Sequence, residues 1–97
     1  MKSAARQALT TIQQCVRADR FGLTFHFRRR MRERGLFWGD VLHALNNAGE
    51  VRKAGLDVHG LPKWIIQGTA TDDQMIEIVC TIEEDESGIQ FITLYWE

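Results

Sequence analysis

The sequence predicts an α+β domain, with two or three N-terminal helices packed on one face of a three- to four-stranded antiparallel sheet. Three observations carry this. Apolar residues recur at helical spacing early in the chain, as in Ala5, Ala8, Leu9, Ile12, Cys15 and Val16. Later the period falls to two: between Gln74 and Glu83, Ile76, Ile78, Cys80 and Ile82 face one way and Glu77, Thr81 and Glu83 the other. The two kinds of segment are not interleaved, and helices followed by strands give an α+β arrangement. A chain of 97 residues holds one domain, spanning 1–97, without room for a second core.

In order along the chain, a first helix runs from Ser3, which reads as its N-cap, to about Arg17. Phe21-Gly22-Leu23 breaks it. Thr24 caps a second helix that reaches about Arg34, with Gly35 at its C-cap. A third fits Trp38 to Ala48 on the apolar stripe Val41, Leu42 and Leu45, and Gly49 ends it. Val51 to Val58 is short and turn-punctuated, a weak strand. Trp64 to Gly68 is a clearer strand, preceded by the only proline, Pro62. Gln74–Glu83 and Ile89–Trp96 flank the polar turn Glu84–Gly88 and form an antiparallel hairpin.

The formal net charge of −1 hides an asymmetry. Residues 1–53 hold eleven Lys or Arg and four Asp or Glu, a balance of +7; residues 54–97 hold one Lys and nine acidic residues, a balance of −8. Such polarity suggests a side that faces a polyanion. No apolar run approaches the ~20 residues of a membrane span. The opening MKSAARQALTTIQQ lacks the apolar centre of a signal peptide, so a cytoplasmic protein is expected. Cys15 and Cys80 lie far apart, fit no metal-ligand spacing and sit in apolar patterns, as small buried thiols do. No metal or other cofactor is expected.

The segment from His26 to Leu36, HFRRRMRERGL, concentrates the chemistry. Arg28, Arg29, Arg30, Arg32 and Arg34 cannot all be buried, and only Glu33 supplies a local counter-charge. On a helix, His26, Arg30 and Arg34 recur every fourth residue and form one polar stripe roughly 12 Å long, with Arg29 and Glu33 beside it. Arginine binds phosphate bidentately and keeps its charge, while an imidazole takes or gives a proton near neutral pH. Such a set can hold a backbone phosphate, stabilise a charged transition state and move a proton. The plainer reading is a solvated helix face with ordinary helical ion pairs worth a few tenths of a kcal/mol.

The pattern His26-x-x-x-Arg30-Met31-x-Glu33-Arg34-Gly35-Leu36 resembles the signature of a bacterial family of small proteins labelled as a domain of unknown function. Asp40-Val41-Leu42, Gly49-Glu50-Val51, the glycine-ended strand Trp64–Gly68 and Ile92-Thr93-Leu94-Tyr95 match the later parts of that pattern, so the resemblance covers about residues 20–96. The first helix looks like an addition seen in toxins of the MqsR type. The resemblance implies a RelE-like or barnase-like fold, shared by toxins of toxin–antitoxin modules, many of them metal-independent ribonucleases. It also implies His26, Arg30, Glu33 and Arg34 as the functional set.

The expected function is therefore a toxin-like, metal-independent endoribonuclease, an mRNA interferase of a type II toxin–antitoxin pair. His26 is the expected general acid or base, Arg30 and Arg34 the phosphate holders, and Glu33 an orienting or second proton-transfer group. Tyr95 either supports the phosphate or acts as acid, or is a sheet aromatic. Arg28, Arg29, Arg32 and Lys63 are candidate RNA contacts, and Trp64 and Trp96 either stack on bases or pack. His43 reads as a surface or helix-packing residue, and His59, in a turn, as solvent-exposed. RNA and a cognate antitoxin, itself DNA-binding, are the expected partners, with no membrane contact; a homodimer stays open. The alternative is a non-catalytic module of the same fold that binds nucleic acid or protein. In a third reading, Arg30, Glu33 and Arg34 pin the helix to the sheet through buried ion pairs.

Overall fold

The computed structural model describes residues 2–96. Its elements run α1 (Ser3–Arg17), β1 (Phe21–Leu23), α2 (Phe25–Arg34), α3 (Trp38–Asn46), β2 (Glu50–Leu56), β3 (Pro62–Thr69), β4 (Met75–Ile82) and β5 (Ile89–Trp96). The helical periodicity of the sequence becomes a buried stripe on α1, from Ala5 through Ala8 and Ile12 to Cys15. Val41, Ala44 and Leu45 do the same on α3. Across the sheet, Val51, Ile66, Ile78 and Leu94 stand in register on the helix-facing side of β2, β3, β4 and β5, and all four are buried. The architecture is α+β, as expected, with the core between the helices and one sheet face.

The sheet differs from expectation in two respects. Among the described residues it has five strands, in the order β1-β5-β4-β3-β2, and it is mixed, because β1 lies parallel to β5 while the other neighbours are antiparallel. The extra strand is Phe21–Leu23, the segment expected only to break a helix. Three residues are too few to show alternation, and a parallel partner far along the chain leaves no hairpin signature. At the first helix, Lys2 rather than Ser3 holds the N-cap position, with no side-chain cap bond. The third helix ends at Asn46, two residues short of Ala48. The β4–β5 hairpin forms as expected, with a register shift between Val79 and Cys80.

Two close approaches fix where the helices lie. A Cβ on Gly68 would collide with the carbonyl oxygen of Ala44, so the backbone of α3 rests directly on β3. An aromatic cluster joins β1, α2, α3 and β5. Phe21 stacks on Trp38 at 4.9 Å, and Phe27 and Trp38 meet Phe91 at 5.4 and 5.5 Å. Among the described residues, no helix is long and apolar enough to cross a membrane.

Candidate functional site

Helix α2 is held by its own sequence at both ends. The Thr24 hydroxyl accepts from the Phe27 N–H at 3.0 Å and donates to the Ile92 carbonyl at 2.7 Å, so one side chain caps the helix and ties it to β5. The Thr24 N–H donates to the Phe91 carbonyl at 3.0 Å. At the other end Gly35 is left-handed, at φ 68°, and the Leu36 N–H returns to the Met31 carbonyl at 2.9 Å. Between these ends Phe27 is fully buried and sets the rotation of the helix. At about 100° per residue, Arg30, His26 and Glu33 then fall on one side of Phe27, and Arg28, Arg32 and Phe25 on the other.

The first side carries the ladder. Because β1 stops at Leu23, the outer edge of β5 beyond it needs other donors, and Arg30 is one: its Nε–H donates to the Leu94 carbonyl at 3.1 Å. The Arg30 guanidinium lies 4.4 Å from the Trp96 ring and 5.6 Å from that of Tyr95. Arg34 also covers Trp96, at 5.2 Å, and its Nε–H donates to Gln74 Oε1 at 3.3 Å. Trp96 is thus the platform on which both arginines are laid. Glu33 bridges Arg29 at 3.1 Å and Arg30 at 3.4 Å. These pairs are solvent-facing, so the expectation of buried ion pairs is replaced by a carbonyl bond and an indole stack. Of the two readings of Trp96, base stacking or packing, the structure shows it packed beneath the arginines, while Gln74 was not foreseen; the usable signal was that Leu94 and Trp96 share a strand face at period two.

The other expected residues fall in different places. His26 is exposed, one turn before Arg30, with no hydrogen-bond partner among the described residues. Tyr95 is half-exposed beside Arg30, on the sheet face opposite the helices. Lys63 shares that face, but strand spacing puts it roughly 16 Å from Tyr95 in the plane of the sheet. Arg28 and Arg32 are exposed on the far side of α2 and do not join the ladder. His43 Nδ1 lies 2.8 Å from the Thr69 carbonyl, fastening α3 to β3, and His59 is exposed in the β2–β3 turn. Among the described residues, no three His, Cys, Asp or Glu side chains gather as a metal site would need.

Residues 23–96 match the family described as "Domain of unknown function (DUF4258)". The chain belongs to this family. No curated protein and no solved structure matches it. The DUF4258 span opens on β1 and closes on Trp96, so it contains α2, the arginine ladder and its indole platform, while α1 lies outside it.

Two further features concern the support of the fold. Asp40 accepts from the Thr71 hydroxyl and N–H and from the Phe37 N–H, which starts α3 and ties it to the β3–β4 turn. The Thr71 hydroxyl foremost, then the Phe37 N–H, holds the Asp40 carboxyl below the usual carboxylate range. Cys15 and Cys80 are free and buried, and desolvation pushes the Cys80 thiol well above its ordinary value, so it is chemically quiet. The open chemistry of the site is thus an unpartnered imidazole and two aligned guanidiniums whose ε nitrogens are engaged. Guanidiniums held in this way are chemically suited to an anion.

Proposed function

We propose that the chain is a toxin-like, metal-independent endoribonuclease, the toxin of a type II toxin–antitoxin pair. The observation that supports this most is an exposed imidazole, His26, one helical turn from a guanidinium immobilised by Leu94 and Trp96. An arginine whose ε nitrogen is already engaged presents its η nitrogens with little freedom left to lose. The resemblance to RelE- and MqsR-type toxins supplies the reaction class. In this reading Arg30 and Arg34 bind the non-bridging oxygens of the scissile phosphate. His26 accepts the proton of the adjacent 2′-hydroxyl as that oxygen attacks phosphorus. The P–O5′ bond breaks, and Tyr95 gives a proton to the leaving 5′-oxygen; solvent then returns the proton from His26 to Tyr95. The products are a 2′,3′-cyclic phosphate and a 5′-hydroxyl. Glu33, held by Arg29 and Arg30, is a positioning residue.

Purified protein should cleave RNA in EDTA and leave 2′,3′-cyclic phosphate ends, and His26→Ala should slow cleavage about 100-fold or more. Undiminished cleavage by His26→Ala, or cutting at a 2′-deoxy position, sinks this mechanism. A second reading, a non-catalytic module that binds nucleic acid, draws on the same contacts: Arg30 spends its Nε on Leu94 and an η nitrogen on Glu33. It expects no cleavage, but RNA affinity that falls with salt at a log–log slope of about −0.7 per neutralised phosphate.

A further inference from the structure

The side of α2 facing away from the ladder carries a feature that the ribonuclease reading does not use. Leu23, Met31, Leu36 and Trp38 wall an apolar cleft of about 440 Å³ between α2 and the start of α3, and Phe25 and Phe37 stand at its mouth. These two phenylalanines are 75% and 78% exposed, the largest aromatic surfaces given to solvent among the described residues. Phe37 occupies the N-cap of α3, where helix chemistry favours Ser, Thr, Asp or Asn. A local rule broken with no internal gain marks a position kept for something outside the fold. Arg28 and Arg32 line the same cleft, and neither guanidinium has an ion-pair or hydrogen-bond partner among the described residues. Arg29, Arg30 and Arg34, by contrast, are all engaged.

We propose that this cleft docks an acidic amphipathic segment of a protein partner, with an apolar side chain seated between Phe25 and Phe37 and carboxylates on Arg28 and Arg32. The charges select this occupant. A second copy of the chain across a two-fold axis would bring Arg28 and Arg32 against their own counterparts, and like charges in contact oppose association. A nucleic acid would offer phosphates to the arginines, but Leu23, Met31 and Leu36 between them carry no group to read a base edge and suit an apolar anchor. Arg28 and Arg32 are one turn apart, about 6 Å along the axis, which matches carboxylates one turn apart on a facing helix.

The probe is a synthetic helical peptide of about 16 residues, with Leu at positions i, i+3, i+4 and i+7 and Glu on the flanking positions. It is titrated into the isotope-labelled full chain and followed by NMR. Saturable shifts are expected at Phe25, Arg28, Arg32, Phe37 and Trp38. Phe37→Ala should weaken binding about tenfold, and Arg28→Glu with Arg32→Glu should do the same. All three residues are exposed, so the variants fold. The same peptide with Lys in place of Glu should bind the double charge-reversed variant better than the wild type. Absence of saturable shifts, or affinity that ignores both variants, overturns the proposal. So does a cleft that answers to oligouridine and not to the peptide, or self-association lost in Phe37→Ala. The peptide titration contains no RNA and reads no cleavage, so its failure and that of the ribonuclease reading are separate results.

Discussion

Replacing Arg30 by alanine removes two contacts that fasten α2 to β5 and one ion pair within α2, and their sum can be worked out. The Nε–H bond to the Leu94 carbonyl, at 3.1 Å, has a charged donor; with water able to reach the sheet edge once the side chain is gone, its loss costs about 1.5 kcal/mol. The stack on Trp96, at 4.4 Å, adds about 0.5 kcal/mol. The pair with Glu33 faces solvent and adds a few tenths. The total is about 2 kcal/mol. In a domain of this size each kcal/mol moves the melting temperature by about 4–8 °C, so Arg30→Ala should melt roughly 10 °C lower. Thermal and urea unfolding, followed by circular dichroism and tryptophan fluorescence, read this directly. Arg30→Lys keeps the charge but has no planar ε N–H, and should recover less than half of the loss. His26→Ala, at an exposed position, should stay within about 0.5 kcal/mol of wild type. An Arg30→Ala melting temperature within about 2 °C of wild type would refute the anchoring role. It would also free Arg30 to be judged on activity alone.

Three other outcomes are expected. Gly68→Ala should destabilise by about 2–3 kcal/mol in the same melts, because the new methyl group meets the Ala44 carbonyl and α3 must lift from β3. Asp40 has a lowered carboxyl pKa in the folded state, so its contribution to stability is complete above the ordinary carboxylate range and is lost as pH falls through that range and below it. Asp40→Asn should flatten the acid limb of a stability–pH curve, and an unchanged limb would contradict the Thr71 and Phe37 contacts as its cause. The Thr93 hydroxyl is buried without a hydrogen-bond partner among the described residues, so the near-isosteric Thr93→Val should raise stability by about 1 kcal/mol, seen as a higher urea midpoint.

Much of this fold was legible because its signals are local. Thr24 and Gly35 bracket α2 as capping chemistry dictates, and the alternation in Gln74–Glu83 became β4 with the same apolar face inward. What escaped was non-local. Phe21–Leu23 is a strand only because β5 lies beside it, and no three-residue stretch announces a distant parallel partner. The site divides in the same way. The helical ladder His26, Arg30 and Arg34 follows from spacing, but the roles of its members come from what packs beneath them. Trp96 and the Leu94 carbonyl, more than sixty residues away, decide that Arg30 is held while His26 is free. Helix rotation, set by burial of Phe27, is what separates Arg28 and Arg32 from the ladder.

The brevity of β1 gives the sheet two unlike borders. Along β5, past Phe91, the Thr24 hydroxyl and the Arg30 guanidinium occupy carbonyls that a neighbouring strand would otherwise claim, so that border is closed by side chains. The other border is β2, whose outer backbone has no strand beside it among the described residues. There Glu50, Arg52 and Lys53 are exposed, and the strand shifts register between Lys53 and Leu56, with Gly55 at φ 78°. Charge and irregularity on an outermost strand discourage another chain from adding to it. Growth by strand addition, the route to intermolecular sheets and aggregation, is thus obstructed by a guanidinium on one flank and by a kinked, charged ribbon on the other.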